Sequence, residues 1–213
     1  MPVRDWGGLC YMGWFFGLYN LNCLGETRDT SYLTPLPAVT LGANDFLILL
    51  GINHNNTGLA TYMNMAIYNF DEKVGMLGIS DIEMKNTASH FFYDKKKADH
   101  FYMIQVAYNC NSVLNIPYTK CIELPTNNWP KVIPGQNRIW TIERAYLNPQ
   151  TLTGPDDLSM LDPIFIYCKY GHHHPINIYI TLLYNNPIAF IYGLFIQYTE
   201  IFIFILLINI ILL

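Results

Sequence analysis

The sequence predicts a mainly β protein, an antiparallel β-sandwich or jelly-roll-like domain with few helices, followed by a hydrophobic C-terminal tail. Short runs of apolar or alternating residues recur along the chain, and turn-forming residues separate them. No stretch has the spacing of apolar positions that marks a convincing amphipathic helix. Aromatic residues make up 15% of the chain and charged residues only 13%, about half the share usual in soluble domains. This composition favours a β-rich or partly membrane-associated protein.

The length and the charge of the chain limit its domain organisation and its partners. A chain of 213 residues can form one domain of ordinary size with an appendage. We predict a single β-rich domain over residues 1–168 and a separate tail over residues 169–213. The net charge of -4 provides no basic surface for a phosphate backbone, so no nucleic-acid partner is predicted.

The clearest pair of strands lies between residues 44 and 70. Phe46 to Ile52 is apolar throughout, which is typical of a strand buried on both faces. The next run alternates, so one face would turn Met63, Met65 and Ile67 towards the core. The other, more polar face would carry Tyr62, Asn64 and Tyr68. Residues 53–58 are predicted to close the two strands into a hairpin.

Further strands are predicted along the rest of the domain, where alternating or apolar runs are bounded by turn signals. They cover Val74–Ile82, Phe101–Tyr108, Tyr118–Leu124, Arg138–Leu147 and Asp162–Cys168, the last strand of the domain. Residues 138–147 alternate, with one face carrying Ile139, Thr141, Glu143 and Ala145 and the other carrying Trp140, Ile142, Arg144 and Tyr146. The charged block Asp94–Asp99 predicts a solvated loop or a short helix.

Cysteine spacing predicts one disulfide and no zinc site. The five cysteines include no CxxC pair. Cys110 and Cys121 stand at the two ends of an Asn/Pro-rich connection between predicted strands, and cross-linking a loop of that length contributes roughly 3 kcal/mol on the chain-entropy model. The alternative is that all five are reduced and buried. A disulfide and the sequon Asn55-Asn56-Thr57 both favour export, with a cytoplasmic location as the alternative.

The composition changes near residue 170, after which neither lysine nor arginine occurs. Residues 188–213 are apolar enough to enter a membrane, and as a helix at about 1.5 Å per residue they would exceed a hydrocarbon core of about 30 Å. We therefore predict a transmembrane helix here, which would make the protein membrane-anchored. The alternative is translated non-coding sequence, because the segment lacks a polar flank and consists of residues whose codons are rich in A and T.

The strongest functional candidate is the polar loop around His54. A histidine in a loop, close to a threonine and a tyrosine, can act as a general base or bind a polar ligand. The predicted ligand-binding candidates are Asn53, His54, Thr57, Tyr62 and Asn64. The alternative is that the Asn and Thr side chains satisfy the loop backbone and that His54 only caps the loop.

Known catalytic and cofactor motifs are absent from the sequence. It contains no GxSxG, no GxxxxGK[ST] and no GxGxxG after a strand, so no cofactor is predicted. A metal centre would need the fold to bring His54, His90 and His100 together, or two of them with Asp81 or Glu83. The consecutive His172–His174 cannot converge on one ion, so no metal is predicted.

Two functional hypotheses follow from the sequence. The first is an exported or membrane-anchored β-sandwich binding or interaction module, whose aromatic and Asn-rich loops contact a small molecule, a glycan or a protein. The second is an enzyme with a histidine-centred site at the His54 loop.

Overall fold

The structure is a computed structural model that describes residues 28–33, 38–92, 94–113, 119–127, 129–156, 159–161, 163–169, 177–181 and 192–195. The predicted mainly β fold class is confirmed, because the described strands form two sheets consistent with a β-sandwich. The strands are β1 (Thr30–Leu33), β2 (Val39–Thr40), β3 (Phe46–Ile52), β4 (Tyr62–Asn69), β5 (Val74–Ser80), β6 (Phe101–Ala107), β7 (Lys120–Glu123), β8 (Arg138–Tyr146), β9 (Ile164–Lys169), β10 (Asn177–Thr181) and β11 (Tyr192–Phe195). Two short helices, α1 (Asp81–Met84) and α2 (Lys95–Ala98), and a 3-10 turn (Ser89–Phe91) lie between β5 and β6.

Sheet A and sheet B divide the strands between them. Sheet A has the order β1-β8-β4-β5, with β2 also paired to β8, and sheet B has the order β11-β10-β9-β3-β6-β7. All pairs are antiparallel except β6 with β7, which run parallel.

The main core lies between the two sheets, and it contains the β4 side chains that the alternating pattern of this strand predicts to face inward. The side chains of Met63, Met65 and Ile67 on β4 have no exposed surface. They share one apolar cluster with Leu49 and Ile104 from sheet B. Burying such side chains stabilises the fold by about 1.5 to 3 kcal/mol each, so the inward face of β4 contributes strongly to the stability of the sandwich.

The predicted hairpin between residues 44 and 70 is wrong, although both of its strands exist. β3 pairs with β6 and β9 in sheet B, whereas β4 pairs with β5 and β8 in sheet A. The reason is that β3 is apolar on both faces: Leu49 joins the core between the sheets, and Ile48 joins a second cluster on the opposite side of sheet B. Such a strand needs apolar cover on both of its faces, which sheet B provides. Residues 53–61 therefore cross from one sheet to the other.

A capping box ends β5 two residues before the predicted limit at Ile82. The Ser80 hydroxyl accepts a hydrogen bond from the Glu83 backbone at 3.4 Å, and the Glu83 carboxylate accepts one from the Ser80 backbone at 3.0 Å. The pattern Ser-x-x-Glu is a helix-start signal, and α1 begins directly after Ser80. The charged block Asp94–Asp99, predicted to be a solvated loop or a short helix, contains the short helix α2. Asp94 is the N-cap of this helix.

The predicted disulfide between Cys110 and Cys121 is present, with its Cα atoms 5.9 Å apart. Cys110 follows β6 and Cys121 lies in β7, so the bond holds the parallel edge strand β7 against β6. Cys168, by contrast, is a buried free cysteine in β9.

Sheet B continues into the predicted tail. β10 pairs with β9 and β11 pairs with β10, so the strand at residues 162–168 is not the last one. Tyr192–Phe195 is a strand where the sequence predicts part of a spanning helix, and the rest of residues 188–213 lies outside the described residues. In the described part of the chain, no helix has the length and apolar character needed to cross a bilayer. Residues 1–27 and His172–His174 also lie outside the description.

Candidate functional site

The five predicted ligand-binding residues divide between two places in the fold. Asn53, His54 and Thr57 lie in the segment that crosses between the sheets, whereas Tyr62 and Asn64 lie on β4. On β4 they occupy the face of sheet A that points away from sheet B, which we call the outer face. The structure therefore separates the histidine from the exposed tyrosine that the sequence placed near it.

The side chains of the crossing segment bond mainly to backbone groups. The Asn53 amide donates to the Asp81 carbonyl at 2.9 Å, and the Thr57 hydroxyl donates to the His54 carbonyl at 3.1 Å. The Asn56 amide donates to the Asp99 carbonyl at 2.6 Å. These bonds tie the segment to the start of α1 and the end of α2. They are the contacts expected of a loop whose polar residues satisfy the backbone.

His54 is sealed in the protein interior, with 1% of its surface exposed. Its backbone N–H donates to the Met63 sulfur at 3.0 Å, and its Nε2 lies 3.5 Å from Oε1 of Glu143. Neither ring nitrogen makes a well-formed hydrogen bond to any described residue. Burial lowers the pKa of His54 to about 4, and the nearby Leu161 backbone offsets this shift in part. The imidazole is therefore neutral at pH 7, and its contact with Glu143 is not an ion pair.

Glu143 and Tyr102 form a buried hydrogen bond that joins the two sheets. Glu143 lies on β8 of sheet A and Tyr102 on β6 of sheet B, and the Tyr102 hydroxyl donates to Oε2 of Glu143 at 2.5 Å. Each residue has at most 1% of its surface exposed. Burial, followed by the neighbouring Glu143, raises the pKa of Tyr102 well above its usual value, which keeps the phenol protonated as a donor.

We call His54, Tyr102 and Glu143 the buried cluster. It can hold and share a proton, but none of its members has more than 1% of its surface exposed. His90 and His100 are exposed and do not join it. Among the described residues, no group of three histidine, cysteine or acidic side chains is placed to hold a metal ion. The hypothetical centre built from three histidines is therefore not formed.

Sequence reasoning singled out His54 but missed Glu143, which lies beside it, and Tyr102, which donates to Glu143. The signal for Glu143 was present, because the alternation of β8 places this carboxylate on the same face as Ile139 and Ala145, which are buried. A carboxylate on an apolar face needs a partner. No local pattern indicates that the partner is Tyr102, 41 residues away in the chain.

The phenol of Tyr102 can be tested by removing its hydroxyl. We expect Tyr102→Phe to lower the free energy of unfolding by about 2 kcal/mol, because the buried carboxylate of Glu143 loses a hydrogen-bond donor. Urea unfolding followed by tryptophan fluorescence would measure the change. Tyr108→Phe is the matched control: the Tyr108 hydroxyl is buried without a described partner, so its removal should change stability by less than about 0.5 kcal/mol. Equal losses in the two variants would contradict a stabilising Tyr102–Glu143 bond.

The outer face of sheet A carries an aromatic pair at one end. Tyr62 is 40% exposed, and its ring centroid lies 5.3 Å from that of Tyr146 on the neighbouring strand β8. The Asn64 amide donates to the Tyr62 hydroxyl at 3.3 Å. Because β4 and β8 are antiparallel partners, Tyr62 stands directly opposite Tyr146 and Asn64 opposite Arg144. We call Tyr62 and Tyr146 the first aromatic station.

A second aromatic station, Tyr68 and Trp140, lies further along the same two strands, with ring centroids 6.0 Å apart. Tyr68 is six positions from Tyr62 on β4, which corresponds to about 20 Å of extended strand. Arg144 lies between the stations. Its guanidinium carbon is 5.6 Å from the ring centre of Tyr32 and 5.7 Å from that of Tyr68, and its Nη2 donates to the Tyr68 hydroxyl.

Beside the second station, the outer face is open along β5. Gly75 and Gly78 are both exposed, and they stand opposite Tyr68 and Ala66 of β4. A Cβ atom added to Gly78 would meet no atom within 4 Å, whereas one added to Gly75 would lie 3.4 Å from the Tyr68 ring. Because these two positions of β5 lack side chains, the edge of the sheet has a shallow open strip here, and the Tyr68 ring lies next to it.

Comparison with protein-family models, with curated proteins and with solved structures finds no match to this chain.

Proposed function

We propose that this protein is a non-enzymatic β-sandwich binding module that holds a glycan chain on the outer face of sheet A. The observation that carries the proposal is that two aromatic stations share one sheet face, with Arg144 between them. Tyr62 is exposed and Tyr68 half-buried, whereas Trp140 is buried and packs beside Tyr68. Tyrosine and arginine are enriched at binding surfaces because each combines a flat contact area with polar groups.

The spacing of the stations favours a glycan over a folded protein partner. A protein interface has a continuous apolar centre with a polar rim. Here the polar pair Asn64 and Arg144 and then the buried pair Ala66 and Ile142 lie between the two stations, so polar groups interrupt the apolar surface of the face. A glycan presents apolar ring faces and polar hydroxyls in alternation along an extended chain. That pattern matches two separated stacking surfaces joined by hydrogen-bonding groups.

The burial of His54 favours binding over catalysis. An enzyme with a histidine-centred site needs the imidazole to reach a substrate, and His54 has 1% of its surface exposed. A proposed export is supported by the Cys110–Cys121 bond, since disulfides persist mainly in oxidising compartments.

A panel of immobilised neutral and acidic oligosaccharides would test the proposal. We expect the purified chain to bind at least one member, and Tyr62→Ala with Tyr146→Ala to weaken that binding tenfold or more, because each lost stacking contact is worth on the order of 1 kcal/mol. Trp129→Ala removes an aromatic side chain that is 70% exposed and lies outside every described strand, so it serves as the matched control. Absence of binding to the whole panel, or equal losses in Tyr62→Ala and Trp129→Ala, would count against this function.

A further inference from the structure

We infer that the glycan bound on the outer face contains carboxylated sugars, uronic acids, and that Arg144 recognises the carboxylate. This inference rests on the proposed function, since it names the class of sugar that the same face would take. The inference starts from the positive charge of Arg144, which lies between the two aromatic stations. Arg144 forms no ion pair with any residue that the structure describes.

The neighbours of Arg144 are aromatic and neutral. Tyr32 and Tyr68 lie on either side of its guanidinium, and Asn64 stands opposite it on β4. The other arginine of β8, Arg138, differs in this respect: it contacts the Phe70 ring at 4.4 Å and also pairs with the Asp71 carboxylate at 2.6 Å. One arginine of the strand thus has an acidic partner within the described fold, and the other does not.

The guanidinium of Arg144 retains free hydrogen-bonding capacity. Its Nη2 donates to the Tyr68 hydroxyl, which helps to fix the orientation of the group, while Nη1 makes no hydrogen bond with the residues described. The aromatic neighbours hold the plane of the guanidinium in place. An oriented guanidinium with an unused edge is suited to a planar carboxylate.

The rest of the face selects a sugar acid over other anions. A single unpaired arginine suits a single carboxylate, whereas a nucleic acid or another dense polyanion requires several cations along its path. The chain as a whole has a net charge of -4, which disfavours non-specific attraction of polyanions. Trp140 is buried, at 5% exposure, so the half-buried ring of Tyr68 is the surface on which a sugar ring can stack beside the arginine. A ligand that offers a carboxylate to Arg144 and a sugar ring to the neighbouring aromatic side chain is a uronic acid residue.

A matched pair of probes isolates the carboxylate. The probes are oligosaccharides that carry one galacturonic, glucuronic or mannuronic acid residue among neutral sugars. Their partners are the methyl esters of the same oligosaccharides, which differ only in charge and in one methyl group. Titration calorimetry with the full chain should show that at least one acid binds tenfold or more tightly than its ester. Arg144→Gln should bring the affinity for the acid close to that for its ester, and Arg144→Lys should restore part of the preference because the charge returns without the planar fork.

A variant that blocks the outer face tests where the glycan binds, separately from the role of the Arg144 charge. Gly78→Leu adds a side chain to the open strip while leaving Arg144 in place, and it should weaken binding of acid and ester by the same factor. Thermal melts would show that each variant is folded. Binding of acids and esters with equal affinity, still sensitive to Tyr62→Ala, would overturn the uronic acid inference and leave glycan binding standing. Binding to no acid and to no neutral glycan would overturn both.

Discussion

Gly51→Ala is expected to destabilise the protein by about 4 kcal/mol, which makes it one of the most damaging single-methyl changes in the core. A Cβ atom at Gly51 would lie 2.4 Å from the hydroxyl and 2.5 Å from Cζ of Tyr102, closer than real atoms approach. The two residues stand directly opposite each other on β3 and β6. The added methyl group would therefore push the Tyr102 ring away from Glu143. The expected loss combines overpacking, at about 1 to 3 kcal/mol, with a broken buried hydrogen bond of similar size.

Gly78→Ala is the matched control for this substitution. A Cβ atom at Gly78 would meet nothing within 4 Å, so we expect a change of less than about 1 kcal/mol, with a small gain from the reduced freedom of the unfolded chain. Chemical unfolding of both variants at pH 7.5 measures the difference. If Gly51→Ala proved as stable as Gly78→Ala, the ring of Tyr102 would not rest on Gly51 as described.

A double variant shows whether the damage passes through Tyr102. In Gly51→Ala with Tyr102→Leu, the smaller side chain leaves room for the new methyl group. We expect the effect of Gly51→Ala to be much smaller in the Tyr102→Leu background than in the wild type, since contacting residues are not additive. Additive losses would locate the strain elsewhere.

Acid should remove about 3 kcal/mol of stability through His54 between pH 8 and pH 4. The pKa of His54 is lowered to about 4 in the folded protein from an ordinary value of 6.5, so the unfolded chain binds the proton more readily. The contribution of the buried neutral imidazole is therefore complete above pH 6.5 and is lost as the pH falls towards 4. The difference between a pKa of 6.5 and one of about 4 corresponds to about 3.5 kcal/mol in full, of which about 3 kcal/mol is lost by pH 4.

Two histidine variants separate His54 from the other titrating groups. His54→Gln removes the buried imidazole, so the free energy of unfolding should fall less steeply over this pH range. His100→Gln changes an exposed histidine and should keep the wild-type slope. Acidification also removes the stability that Glu83 and Asp71 contribute, because the pKa values of both carboxyl groups are lowered in the folded protein. Their contribution is common to all three proteins and cancels in the comparison. Equal slopes in wild type and His54→Gln would show that His54 does not titrate as a buried group.

The sequence by itself determined the positions of most described strands and the direction in which their side chains face. Met63, Met65 and Ile67 are inward as their alternation predicts, and Tyr62, Asn64 and Tyr68 share the opposite face. The Cys110–Cys121 bond is the one that the sequence favoured, because the two cysteines end a short connection between predicted strands. These features depend on neighbours in the chain, because the two-residue period of a strand and the length of a loop are local properties.

Only the tertiary structure decided which strands pair and which polar groups meet. β3 and β4 are adjacent in sequence but lie in different sheets, because β3 needs apolar cover on both of its faces, which sheet B provides. Tyr102 and Glu143, 41 positions apart, meet because β6 and β8 face each other across the core. The same packing moved His54 from an expected exposed loop into the interior and left Arg144 among tyrosines on the outer face. Such contacts join distant parts of the chain, and no local pattern encodes them.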